Sequence, residues 1–429
     1  MKRKLFLLFA SFFLGYSVHS IAQESLHISI DEAKEHALNY NKTIQKANLA
    51  IQKADYAKWQ SISSMLPKVE ASFSYNNYLG HKMTLMGMPI AMNPEGSFTA
   101  QAVLAFSGMQ VVGVQLSEIA RQMSQTSALQ DDLSLQTNVT NAYYAILVAE
   151  ESKKIVEGNL ENLRKLYNSS LNLVKVGMAE QTDADQLEVQ VGMLENTIRM
   201  AERNVELSYN TLRLLLGVNT DTAITLKNSL MDFTSKESVN ELLLTSFDIT
   251  QNFTVQLLNQ AIDVSQKQVE LNHWAYAPML SGFYQYTKKT HFDKAAGFDM
   301  TPPNLVGVTI SIPVFSSGER YAKVKQAQFD LQTAKLNKEQ TVDALLMEEK
   351  QLRYNLTSAI ESYELQLKNV ALYERILTNA TQKYEQGMIS STELSTISNN
   401  TLSTQSQYIS ALMDMLMAKT KLQQLINKL

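Results

Sequence analysis

From Glu319 to Gln386 the chain contains neither glycine nor proline, and beyond Gly387 it contains neither again as far as Leu429. Those two residue types interrupt helices most strongly, so runs of this length commit the backbone to helix wherever the apolar pattern agrees. It agrees here. Leu356, Ile360, Tyr363, Leu367, Val370, Leu377 and Tyr384 recur in steps of three, four or seven, a stripe close to a heptad repeat. Gln110 to Val176 carries a similar stripe through Leu129, Leu133, Val139, Tyr143, Ile146, Leu163, Leu166 and Leu171. At 1.5 Å per residue each segment extends roughly 100 Å if continuous. A compact globule does not house such rods easily; a helical barrel or a coiled-coil rod does.

All seven prolines fall in two windows, Pro67, Pro89 and Pro94 in one and Pro278, Pro302, Pro303 and Pro313 in the other. There the period changes to two. In VEASFSYN (69–76) Val69, Ala71, Phe73 and Tyr75 alternate with polar residues, and SFTAQAVLAF (97–106) alternates similarly through Phe98, Leu104 and Phe106. MLSGFYQYT (279–287) and NLVGVTISI (304–312) complete the set, the last with Val306, Val308, Ile310 and Ile312 on one side. The pattern places four strands at about 69–78, 97–106, 279–287 and 304–312. Nine or ten residues match a tilted strand that spans a bilayer. Phe73, Tyr75, Phe98, Phe106, Tyr284 and Tyr286 are aromatics at strand ends, as in interfacial girdles, and the opposite faces are polar enough to line water. The alternative is that the two hairpins bury their apolar faces against each other. The chain would then be a periplasmic coiled-coil scaffold or adaptor with a small soluble β-sheet and no channel.

The chain is built twice. KVGMAEQTDADQL (175–187) and EQGMISSTELSTI (385–397) lie 210 positions apart and align Gly177 with Gly387, Met178 with Met388, Thr182 with Thr392 and Asp183 with Glu393. Asn41 precedes Pro67 by 26 residues, and Asn252 precedes Pro278 by the same interval. Each repeat reads helix, proline, strand, loop, strand, long helix, Gly-Met turn, helix. The organisation is therefore a first repeat over 23–217, a polar connector over 218–247 and a second repeat over 248–429, with helix hairpins turning at 177 and 387. Glycine supplies the backbone freedom for each reversal. Ser390-x-x-Glu393 reads as a capping box that restarts the helix, and Thr182 with Asp185 reads similarly.

Residues 1–22 read as a secretory signal peptide: Lys2, Arg3 and Lys4, an apolar run from Leu5 to Val18, then small residues at Ser20 and Ala22. The chain has no cysteine, so disulfides, thiolate metal sites and a lipidated cysteine are excluded. A net charge of -4 offers no footprint for nucleic acid. Past the signal the only histidines are His27, His36, His81, His273 and His291, without HExxH, G-x-S-x-G or a phosphate-cradling loop, so an enzyme is not expected. Asp131-Asp132 and Glu348-Glu349 read as solvated helix faces. Met83, Met86, Met88 and Met92 gather with His81 between the first two strands. Thioethers suit Cu(I) or Ag(I), yet loop packing accounts for them in sequence, so no metal and no cofactor is assigned.

Four strands cannot close a membrane barrel, and an open edge in lipid leaves unpaired backbone groups at several kcal/mol each. Strands that span a bilayer therefore require an oligomer. Two copies give eight strands, whose interior side chains fill; three give twelve and leave room for a channel. At this point the chain resembles the outer membrane efflux proteins. The resemblance rests on ISIDEAKEHALNYN (28–41), LPKV (66–69), LLLG (214–217), PVFSSGERYAKVKQAQ (313–328) and the two Gly-Met turns. One departure is LAFSGMQ (104–110), where the first repeat lacks the proline of the P-x-F-x-x-G pattern.

The resemblance implies a mainly α, α+β fold in which long helices form a periplasmic α-barrel. Four strands per chain would enter a twelve-stranded barrel of a homotrimer in outer-membrane lipid. It implies a passive exit duct for a tripartite efflux or type I secretion system. The partners would be a periplasmic adaptor (membrane fusion) protein and an inner-membrane pump or ATP-driven transporter. The connector would form an equatorial belt. Val176, Gly177, Met178, Thr182, Gly387 and Met388 would form the adaptor-contacting tip. In the family an acidic ring follows the second turn, and the matching positions are Glu393 and Thr396, of which one is acidic. Contacts that hold the tip closed map onto Tyr384 and Asp183, and a basic partner would fall at Ile389, where it is absent.

Overall fold

The computed structural model describes residues 26–85, 87–235, 241–292 and 302–428. The signal segment at 1–22 lies outside them. In chain order the elements are β1 (Leu26–Ile28), α1 (Ile30–Tyr40), α2 (Lys42–Ser63), β2 (Lys68–Asn76), β3 (Lys82–Leu85), β4 (Met88–Ala91), β5 (Glu95–Phe106) and α3 (Gly108–Lys175). There follow α4 (Gln181–Leu216), β6 (Ile224–Leu226), α5 (Phe253–Trp274), β7 (Met279–His291), β8 (Asn304–Ser311), α6 (Glu319–Glu385) and α7 (Ser391–Leu425). Among the described residues no helix is long and apolar enough to cross a membrane. The chain divides into two compact units, one of 46–131 with 248–347 and one of 1–45, 132–247 and 348–429.

The first unit holds the sheet, four antiparallel strands in the order β2-β5-β7-β8. The two hairpins are neighbours in one sheet, joined along β5 and β7, and do not stack face to face. Side chains alternate with a period of two, so register decides what each face carries. Val69, Ala102, Tyr284 and Val306 form one row across all four strands, and Phe106, Leu280 and Ile310 form another. The opposite face carries Glu70, Gln101, Gln285 and Leu305 in one row and Ser72, Thr99 and Thr287 in the next. β7 runs to His291, beyond the apolar alternation, because β5 starts at Glu95 and pairs with it to the end. The segment between β2 and β5, expected as a loop, contains the β3–β4 hairpin.

Helices of this unit meet one another through close contacts. Gly108 opens α3 where a Cβ would lie 2.1 Å from the Trp274 ring, so the pattern's glycine survives there without its proline. Between α2 and α3 the Glu118 carboxylate accepts from Arg121 at 2.8 Å and pairs with Lys58 at 2.8 Å. The Arg121 hydrogen bond, followed by that of Lys58, pulls the carboxyl down to about 2.

The second unit holds the larger core. Tyr143, Ile146, Leu212, Leu216, Leu412 and Leu416 are fully buried together. Two features here have no signal in the period. β1 pairs in parallel with β6 of the connector, Leu26 with Ile224 through Ile28 with Leu226. The Tyr143 hydroxyl secures that pair, donating to the Ile28 carbonyl at 3.1 Å and accepting from the Asn228 N–H at 3.2 Å. The opening helix is also broken at Asn41, whose Oδ1 accepts from Thr43 N–H at 2.7 Å while its Nδ2 donates to the Leu215 carbonyl at 2.7 Å.

Arginines fix the connector further. The Arg213 Nε donates to the Thr222 carbonyl at 2.8 Å, and Arg353 donates to the Leu243 and Thr245 carbonyls. Glu349 pairs with Arg353 and its side chain is only 15% exposed, so this carboxylate is a structural ion pair and not a solvated charge.

Candidate functional site

Two places carry functional features: the paired helix reversals and the faces of the sheet. At the first reversal the Met178 N–H donates to the Leu173 carbonyl at 2.9 Å and Gly177 N–H to Val174 at 3.0 Å. At the second, Met388 N–H donates to Lys383 at 2.8 Å and Gly387 N–H to Tyr384 at 2.9 Å. Both are Schellman closures with glycine in the left-handed region, at φ 74 and φ 72. Val176, Met178 and Met388 are 68%, 76% and 68% exposed, and Thr182 is exposed beside them.

The restarts differ. Ser390 caps α7, its Oγ accepting from the Glu393 N–H at 3.2 Å. The first restart does not use Thr182 with Asp185. α4 begins at Gln181 with Glu180 as its N-cap, and the Asp183 carboxylate accepts from the Glu180 N–H at 3.3 Å. Tight closure of the turn leaves three residues between Gly177 and the helix, which puts the cap two positions earlier than the hydroxyl suggests.

Tyr384 is buried against Leu166, Ala380 and Leu394, its hydroxyl 3.1 Å from the Ser170 hydroxyl. Asp183 accepts from the Ser391 hydroxyl, which joins the first turns of α4 and α7. Tyr384 and Asp183 thus have separate partners. Ile389 packs against the Tyr384 cluster. Glu393 and Thr396 are exposed on α7. Further links were not legible in sequence: Gln190 Nε2 donates to the Ser395 hydroxyl at 2.6 Å, and Asn159 Nδ2 to Gln405 Oε1 at 2.7 Å. Ser391 and Ser395 lie within the second repeat stretch, but neither it nor the polar stretch around Ser170 signals a partner.

The sheet is amphipathic in the reverse of the usual sense. Its apolar side chains are the open ones: Val69 is 75% exposed, Phe73 74%, Val306 77% and Val308 72%. Its polar face, with Thr99, Gln101, Gln285 and Thr287, is half-covered along β5 and β7; the Thr99 and Thr287 hydroxyls lie 3.4 Å apart and Gln285 Nε2 donates to the Thr287 hydroxyl at 3.0 Å. The outer edges of β2 and β8 have no strand partner among the described residues.

A sheet with its apolar face outward, carried on long helices that reverse in paired turns, defines the subunit of an outer-membrane channel. The outer membrane efflux protein family matches this chain over residues 34–218 and 249–428, one match to each repeat, and the chain belongs to that family. Outer membrane protein TolC of Vibrio cholerae is 22% identical over 83% of this chain and 80% of its own length. Toxin and drug export protein A of Aggregatibacter actinomycetemcomitans is 20% identical over 91% of this chain and 84% of its own. The structure of the CusC channel shares the fold, with a TM-score of 0.75 at 17% identity and 95% of both chains covered. The protein is an outer-membrane efflux channel with its helical part in the periplasm. Neither family nor fold is that of an enzyme.

Proposed function

We propose that three copies of this chain close a twelve-stranded barrel in outer-membrane lipid. The β8 edge of one copy would pair with the β2 edge of the next. The observation that supports this is the sheet itself. Its open face is apolar, its polar face is half-covered along β5 and β7, and neither edge has a strand partner among the described residues. In water such a sheet would expose a large apolar patch and two templates for aggregation. In lipid, ring closure satisfies both. The helices continue the barrel as a periplasmic tunnel, with the connector as its belt. The duct is passive, and energy comes from an inner-membrane pump or ATP-driven transporter reached through a periplasmic adaptor. The exposed Val176, Met178, Thr182 and Met388, on turns shaped by Gly177 and Gly387, form the adaptor-contacting tip.

At that tip Tyr384 and Asp183 hold the entrance through Ser170 and Ser391. Glu393, with Thr396 one turn on, faces the opening and sets its preference for cations, as rings of acidic side chains do.

The test is a pair of substitutions one residue apart. Val308→Arg puts a charge on the lipid face at about 2–4 kcal/mol near the midplane, while Thr309→Arg faces water. Heat-modifiable trimers on gels and conductance in planar bilayers should survive Thr309→Arg and fail with Val308→Arg. Equal tolerance of both, or a monomer without conductance in the wild type, refutes the assembly.

A further inference from the structure

Four of the 19 methionines fall between Met83 and Met92. Loop packing was the simplest account of them in sequence, but this segment is a hairpin, and Met83 and Met88 are exposed on it. β3 and β4 pair Met83 with Ile90 and Leu85 with Met88, and the Met92 N–H donates to the His81 carbonyl at 3.0 Å, which carries the ladder one pair further. Residues directly opposite in an antiparallel pair point to the same face, as do residues two apart in one strand. His81, Met83, Met88 and Met92 therefore share one face. His81 stands opposite Met92, and Met83 is diagonal to both Met92 and Met88.

Opposite positions bring Cβ atoms to about 5 Å and diagonal ones to about 7–8 Å, spans that long, flexible thioether side chains close readily. Met83 is 48% exposed and Met88 70%, so burial does not explain the choice of residue. Met86 lies outside the described residues.

We propose that His81, Met83 and Met92 bind a soft monovalent cation, Cu(I) or Ag(I). Thioether sulfur and imidazole nitrogen are the donors such ions select. Thioethers carry no charge, which suits a single positive charge. The set lacks the thiolates or carboxylates with which Zn²⁺ sites are usually built, and the oxygens that Ca²⁺ and Mg²⁺ require. The site rests on the hairpin alone and does not depend on conduction.

The experiment uses the full-length protein in detergent, titrated with Cu(I) against a chromogenic Cu(I) chelator and with Ag(I) by calorimetry. The expected result is one tight ion per chain and no comparable uptake of Zn²⁺. Met83→Leu and Met92→Leu should each weaken binding at least tenfold, and together they should abolish it. Met231→Leu with Met347→Leu, at sites 85% and 73% exposed elsewhere, should change nothing. Circular dichroism melts confirm that each variant is folded. Binding by the folded Met83→Leu/Met92→Leu variant equal to wild type, or equal loss in the control pair, overturns the proposal.

Discussion

The α2–α3 pair and the α5–α6 pair stand at matching places in the two repeats, and they fill their facing surfaces in opposite ways. In the first, Lys58, Glu118 and Arg121 form an ion cluster, with Asp55 at 3.8 Å from Arg121. With the repeats aligned, Asp55, Lys58 and Arg121 correspond to Gln266, Val269 and Leu331. Those three residues line an open cavity of about 740 Å³ between α5 and α6. Duplication has preserved the path of the backbone while the contents of the interhelix space diverged. The left-handed helix ends make the same point. Gly217, at φ 73, and Asn427, at φ 54, are 210 positions apart and end their helices with the same pair of backbone bonds. Only the first has a neighbour that forbids a side chain: a Cβ at Gly217 would lie 2.7 Å from the Tyr40 carbonyl oxygen.

That difference yields the largest expected effect. Gly217→Ala should cost about 2–4 kcal/mol, from left-handed strain plus a backbone clash that cannot relax. Asn427→Ala should cost about 1 kcal/mol, from strain alone. Thermal melts of the detergent-solubilised protein measure both, and equal costs would mean that the Tyr40 contact carries no weight. Where the repeats truly agree, the effects should agree. Nothing lies within 4 Å of a Cβ at Gly177 or Gly387, so alanine at either should cost the same, about 1–2 kcal/mol. Unequal losses would show that the two turns differ in surroundings despite equal geometry.

The sequence disclosed the parts of this fold that repeat over many residues. The stripe from Leu356 to Tyr384 and the alternation from Val306 to Ile312 are periodic, and period reads directly as helix or strand. β1 and β6 were invisible because each is three residues long and its partner lies about 200 positions away. The break at Asn41 was invisible for another reason: α1 and α2 are both helical, and only the Asn41 hydrogen bonds to Thr43 and Leu215 interrupt them. At the reversals the glycines announced themselves, but the Ser391 partner of Asp183 did not, since a serine in a helix's first turn serves as readily for a cap.

Asp183 and Glu393 sharpen the comparison at the two reversals. They are twins by sequence, yet Asp183 is bound by Ser391 and by the Glu180 N–H, whereas Glu393 is exposed. Asp183→Ala should lose about 1 kcal/mol of stability and raise the conductance of the resting channel in planar bilayers. Glu393→Ala should leave the melt unchanged and shift the reversal potential away from cations. An unchanged reversal potential and unchanged cation block would remove Glu393 from the entrance.

The smallest effect belongs to the ion cluster of the first repeat. The Glu118 carboxyl is held at about 2, well below its ordinary 4.5, so the cluster contributes fully above the ordinary value, and that contribution is lost progressively as the pH falls from there through about 2. The cluster is solvent-accessible and screened by salt, so the contribution is modest. Glu118→Gln should therefore lower the melting temperature slightly and by a nearly constant amount from pH 7 to about pH 5. The gap should narrow steadily below that and close near pH 2. The second repeat, with Gln328 at the matching position, has no carboxylate there to titrate. A gap that already closes between pH 5 and pH 4 would mean that Arg121 and Lys58 do not hold the carboxylate in solution, and that the two helix pairs differ less than their residues suggest.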